Sequence, residues 1–126
     1  MNKSYQKNQV LVIKFGGLGD FFLSINPFYS IREHHLDDCL ILVTEKKYLD
    51  IANRCGLFDK VILIERSLFY FVDKLFLRKQ LVLSKVKKVY DLQTSRRSNS
   101  YFKMFKKYKT HWSGIAKGCS HFHNNK

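Results

Sequence analysis

The chain has 126 residues and a mass of 15.0 kDa, with 45 % hydrophobic and 15 % aromatic residues. That is one domain's worth of chain with enough apolar material for a packed core, which excludes disordered and fibrous classes. A two-domain enzyme of ordinary size does not fit in this length. Lys plus Arg number 23 against 10 Asp plus Glu, for a net charge of +13.

The charge is unevenly placed. From Met1 to Asp73, nine basic residues balance nine acids; from Lys74 to Lys126 there are fourteen basic residues and one acid, Asp91. The second part would attract anionic partners such as phosphates, nucleic acid or an acidic membrane leaflet. A solubilising face explains it equally well.

In chain order, Met1 to Gln9 is a polar tail. Val10 to Phe15 is a short apolar run of the kind that forms a strand buried on both faces. It ends in the turn Gly16-Gly17-Leu18-Gly19-Asp20. Similar runs follow at Cys39–Thr44 and Val61–Glu65, with a shorter one at Lys88–Leu92. Helical spacing lies between them, over Phe21–His35, Lys46–Arg54 and Leu68 to about Val86, and again over Ser98–Lys107. Pro27, inside the first helical stretch, predicts a kink or an early helix end. Strand alternating with helix points to an α/β fold with an open parallel sheet of Rossmann-like type. After Lys107 periodicity fades, and residues 110–126 read as an irregular tail outside a domain spanning 10–109.

Cys39, Cys55 and Cys119 show no paired spacing, so no disulfide framework is expected. The apolar run after the polar tail is too short for a signal-peptide core. The longest uncharged stretch, Phe21–Ile31, is too short to span a bilayer. A cytoplasmic location is the default expectation.

The turn after the first strand is the most informative place, because open α/β sheets bind ligands beyond the carboxyl ends of their strands. Glycines there let the backbone approach a ligand, and the next helix offers unpaired N–H groups to an anion. The dinucleotide fingerprint fails, because Phe22 stands where its third glycine belongs. No Walker-type Gly-Lys-Ser/Thr follows. Asp20 reads either as a helix N-cap or as a carboxylate presented to a ligand hydroxyl. Further along, Asp91-Leu92-Gln93-Thr94-Ser95-Arg96-Arg97-Ser98 brings amide, hydroxyl and guanidinium groups to the same sheet edge. Sugar hydroxyls and phosphates suit such a set. Asp91, alone among cations, reads most simply as a salt-bridge partner. His34 and His35, at a helix end, suit the helix dipole better than catalysis.

Taken together, Val-Leu-Val-Ile-Lys-Phe-Gly-Gly-Leu-Gly-Asp with Pro27 seven residues beyond Asp20 resembles the opening of family 9 glycosyltransferases, the lipopolysaccharide heptosyltransferases. The Asp91-Leu-Gln turn followed by Arg97-Ser98 is similar to a second motif of that family. Trp112-Ser-Gly-Ile-Ala and Gly118-Cys-Ser-His are similar to a segment of some members. The resemblance covers nearly all of residues 9–121. It implies the N-terminal half of a two-domain GT-B enzyme, the half that holds a sugar-lipid acceptor. A second half, not contained in these residues, would bind the nucleotide-sugar donor, usually ADP-heptose. By this resemblance Asp20 is the catalytic base. Lys14, Gly16, Gly17 and Gly19 frame the acceptor pocket, and Gln93, Arg97 and Ser98 lie near acceptor phosphates or carboxylates. The basic second part fits an anionic lipid acceptor, with peripheral contact at the inner membrane face.

There are departures. The strand that should lead into Trp112 is hard to find in Lys106–His111, and Lys117 and Phe122 stand where prolines are expected. The resulting expectation is a truncated acceptor domain that is inactive alone and uses no cofactor or metal. Two competing readings rank behind it. One is a small basic nucleic-acid-binding protein, from lysines and arginines interleaved with Tyr90, Tyr101, Phe102, Phe105 and Tyr108. The other is a zinc site in the tail from His111, Cys119, His121 and His123, whose spacing matches no common pattern.

Overall fold

A computed structural model of the chain describes residues 8–15, 24–64, 70–93, 96–106, 108, 110–114 and 121–122. Its elements are β1 (Gln9–Ile13), α1 (Ile25–His34), β2 (Cys39–Thr44), α2 (Leu49–Cys55), β3 (Lys60–Leu63), α3 (Tyr70–Gln80), β4 (Val86–Asp91), α4 (Arg96–Lys106), β5 (His111–Gly114) and β6 (His121–Phe122). Single 3₁₀ turns at Lys46–Tyr48 and Leu83–Lys85 lead into α2 and β4. The strands form one sheet in the order β3-β2-β1-β4-β5-β6, with every pairing parallel. This is the doubly wound, Rossmann-like order, in which the winding reverses between β1 and β4.

Alternation along the strands sorts side chains into two layers. Leu11, Ile13, Ile41 and Val43 face one way and pack with Leu77 of α3 and with Tyr101, Phe102 and Phe105 of α4. Val10, Val12, Leu40 and Leu42 face the other way, against Phe28 and Ile31 of α1 and Ala52 of α2. All eight of these strand residues are buried. Continuous apolar runs are what a sheet covered on both faces requires.

Four sequence expectations change. Pro27 does not kink α1: the helix begins at Ile25, so Pro27 sits in the first turn, where its missing N–H has no helical partner to lose. The first helical bond runs from the Phe28 N–H to the Ser24 carbonyl at 2.9 Å. α3 ends at Gln80 instead of near Val86, and β4 starts at Val86 instead of Lys88.

The cause of the earlier strand start is a bulge. Gln9 pairs with Val86 but Val10 pairs with Lys88, so Lys87 is the extra residue. The bulge shifts the alternation by one, which lets Val86 and Val89 enter the same layer. In an unbroken strand they would face opposite ways.

Residues 111–114, expected to be irregular, are also strand. β5 pairs with β4, with His111 beside Lys88, Trp112 beside Val89 and Ser113 beside Tyr90. Trp112 is itself in the strand, and among the described residues no separate strand leads into it. It is fully buried, with its ring 5.5 Å from Phe102 and 5.9 Å from Phe105. Thr110 secures the start of the strand by donating its hydroxyl to the Val86 carbonyl at 2.9 Å. A four-residue strand with one large apolar residue has no run to detect, and pairing specifies it instead.

Candidate ligand crevice at the sheet switch point

The carboxyl ends of β1 and β4 lie side by side where the winding reverses, and this is where such sheets form a ligand crevice. The two ends are tied together. The backbone N–H groups of Leu92 and Gln93 both donate to the Ile13 carbonyl at 3.1 Å. The Gln93 side chain reaches back, its Oε1 accepting the Phe15 N–H at 2.9 Å. Gln93 thus holds the chain at the point where it leaves β1 for the glycine turn. Sequence reasoning placed Gln93 near a ligand and missed this positioning contact.

Lys14 is buried at the same place. Its backbone N–H continues the β2 ladder by donating to the Val43 carbonyl at 3.0 Å. Among the described residues, its Nζ meets the Leu92 carbonyl at 3.5 Å, the long limit of a hydrogen bond. A buried ammonium with so weak a partner favours a nearby anion.

Asp91 faces the α3–α4 layer and is fully buried. It accepts the Ser98 hydroxyl at 2.9 Å, joining the end of β4 to the first turn of α4. Ser98 is itself fully buried, so its hydroxyl serves this junction. Arg97 lies in the first turn of α4, and its side chain is outside the described residues. Gly16, Gly17, Gly19 and Asp20 also lie outside them. The structure therefore brings Lys14, Gln93, Asp91 and Ser98 to one edge.

A cavity of about 370 Å³ opens two strands away at the same edge, lined by Lys46, Leu63, Ile64, Val72, Asp73 and Phe76. At the spacing of neighbouring strands it is about 10 Å from the switch point. Asp73 is buried on its inner side, where Oδ2 accepts the Tyr101 hydroxyl at 2.5 Å.

A polar cluster that sequence reasoning missed ties α1 to β4. The His35 ring lies 2.8 Å from Asp38 Oδ2 through Nδ1 and 2.9 Å from the Tyr90 hydroxyl through Nε2. A carboxylate only accepts, so Nδ1 carries a proton and donates to Asp38, while Nε2 and the Tyr90 hydroxyl share the second hydrogen bond. The bulged Lys87 reaches Asp38 at 2.8 Å. Burial pushes the Asp38 carboxyl up, but hydrogen bonds from Lys87 and His35 and their charges outweigh it and hold it below the ordinary value. Burial alone pushes the Tyr90 phenol up and the Lys88 ammonium down, and that ammonium sits 4.8 Å from the Tyr90 ring centre. His35 thus bridges two elements, a role beyond the helix dipole. Its signal was the His-x-x-Asp spacing, which is too common to single out.

Tyr101, Phe102 and Phe105 are core residues, so their rings have no face to offer a nucleic-acid base. Among the described residues no group of three or more His, Cys, Asp and Glu could hold a metal ion. Cys119 and His123 lie outside those residues. No helix among them is long and apolar enough to cross a membrane.

Neither a family model nor a curated protein matches the chain. A solved structure does. The crystal structure of the glycosyl transferase family 9 from Veillonella parvula DSM 2008 superposes with a TM-score of 0.78 over 94 % of this chain, at 13 % identity. At that identity the likeness is one of fold, and it fits the Rossmann-like sheet described above. The chain spans 36 % of the length of that structure.

Proposed function

We propose that these residues form the acceptor-binding half of a family 9-type glycosyltransferase, acting on an anionic sugar-lipid of the lipopolysaccharide core. The observation that carries this reading is the buried Lys14 ammonium at the switch point, beside the Gln93 clamp. A cation in that position suits a phosphate or carboxylate on an acceptor. The glycine turn and Asp20 follow directly in the chain. In this reading Asp20 takes the proton from the acceptor hydroxyl as that oxygen attacks the anomeric carbon of the donor, whose bond to the phosphate oxygen breaks and releases the nucleoside diphosphate. Gly16, Gly17 and Gly19 keep the approach open, and Arg97 supplies a planar fork to an acceptor anion. The nucleotide-sugar donor, of ADP-heptose type, would be held by a second domain or chain. These residues alone then bind acceptor and transfer no sugar, because rate enhancement requires two positioned reactants.

Titrating the 126-residue chain with a deacylated, phosphorylated core oligosaccharide tests this. Saturable binding is expected, weakened at least about tenfold by Arg97→Ala, the loss of one charge-assisted hydrogen bond. Absent saturation, with a salt-steep affinity for oligonucleotides instead, would overturn the reading in favour of nucleic-acid binding.

A further inference from the structure

Among the described side chains of helix α3, one face meets the core and another is apolar and exposed. Leu77 is in the core, and Asp73 is buried one turn before it. On another flank, Val72, Leu75 and Phe76 stand at the i, i+3, i+4 spacing of a continuous stripe, exposed at 41, 57 and 39 %. With Val82, four of the seven exposed large apolar side chains among the described residues fall within 72–82. Isolated exposed leucines need no explanation, but a contiguous stripe marks a contact surface.

The charge on this helix says what the contact is. Asp73 is its one acid and is buried, so the charges α3 presents to solvent, from Lys74, Arg78 and Lys79, are all positive. Lys79 continues the apolar stripe at i+7 from Val72. Val72 and Phe76 also line the 370 Å³ cavity, where the exposed Lys46 adds another cation. Apolar side chains interleaved with cations, and no exposed acid among them, are the pattern of a helix lying in the surface of an anionic bilayer. A protein partner would need acidic groups around an apolar ridge, a narrower requirement.

We propose that α3 is a membrane-docking helix: its Val72–Leu75–Phe76 stripe enters the headgroup boundary of an anionic bilayer, while Lys46, Lys74, Arg78 and Lys79 engage lipid phosphates. Docked this way, the cavity opens towards the bilayer. This deepens the acceptor reading by naming the surface that would meet a lipid-linked substrate. The two fail separately, because partitioning into vesicles needs no acceptor.

The test is co-sedimentation of the 126-residue chain with vesicles of phosphatidylcholine containing phosphatidylglycerol, compared with pure phosphatidylcholine. Binding is expected to the anionic vesicles only. Leu75→Ser with Phe76→Ser should lower the partition coefficient at least about tenfold. Lys79→Gln should lower it about fivefold. Leu36→Ser, which removes a 71 % exposed leucine elsewhere, should leave it unchanged. Thermal melts of each variant confirm folding, and Leu75→Ser alone serves if the double variant does not fold. Vesicle binding that is absent in the parent, or unchanged in the stripe variants, overturns the proposal. So does a change from dimer to monomer on sizing with vesicle binding intact, which would assign the stripe to a second copy of the chain.

Discussion

On the face covered by α3 and α4, polar groups enter the core as buried pairs, Asp91 with Ser98 and Asp73 with Tyr101, among Phe15, Phe105 and Trp112. On the face covered by α1 and α2 the interior is apolar, and polar groups gather at its rim. There Arg32, partly buried, donates to the carbonyls of Leu57, His35, Leu36 and Asp38 and to the Asp59 carboxylate. Beside it stand His35, Asp38, Tyr90 and Lys87. One layer is secured by aromatic volume and dry hydrogen bonds, the other by charges that still meet solvent. The two should therefore answer to different perturbations: the first to lost volume, the second to lost charge and to acid.

The largest expected effect lies in the first layer. Trp112→Ala removes the ring that Phe102 and Phe105 pack against and should cost about 4 kcal/mol, read as a shift in denaturant midpoint. A loss below about 1 kcal/mol, the scale of an ordinary surface substitution, would mean that β5 stands outside the cooperative unit.

In the second layer, Arg32→Ala should cost about 2 kcal/mol, because several carbonyls lose one shared donor. Arg32→Lys should recover less than half of that, since an ammonium cannot span the positions that the guanidinium fork reaches. An Arg32→Lys protein as stable as the parent would show that charge alone matters there.

The smallest effect is the one that separates the layers by pH. Asp38 has its carboxyl held below the ordinary value of 3.8 in the folded chain. A depressed carboxylate contributes stability that is fully present above its unfolded value and is lost as pH falls through the folded one. Melting temperature should therefore fall with acid below about pH 4, and Asp38→Asn should flatten part of that slope. Leu77→Ala, which removes buried volume and no group bonded to a carboxylate, should leave the slope unchanged while lowering stability at every pH. A slope equally steep in the Asp38→Asn protein would place the acid sensitivity elsewhere.

Much of the scaffold was legible in residue order. The runs at Val10–Phe15 and Cys39–Thr44 are buried on both faces, and that demand shows as unbroken apolar sequence. The start of β4 was not legible. The bulge at Lys87 breaks the period of two, so Val86 and Val89 look misaligned until β1 is beside them. The break after α3 was equally hidden, because Leu81 and Leu83 continue an apolar rhythm while leaving the helix. The candidate site was legible in part. Gln93 and Ser98 were singled out from their place after a strand and Lys14 from the family resemblance, and all three lie at one edge of the sheet. Their contacts were not legible: the Gln93 amide clamps Phe15, and the Ser98 hydroxyl serves Asp91.

Local order and hydrophobic period thus suffice for an alternating α/β chain and its doubly covered inner strands. They suffice because each is a property of neighbours in sequence. Strand order, the membership of β5, the bulge at Lys87 and the His35–Tyr90 bridge across 55 positions are different in kind. They depend on which distant backbone and side-chain groups satisfy one another once water is excluded, and only the assembled sheet decides that.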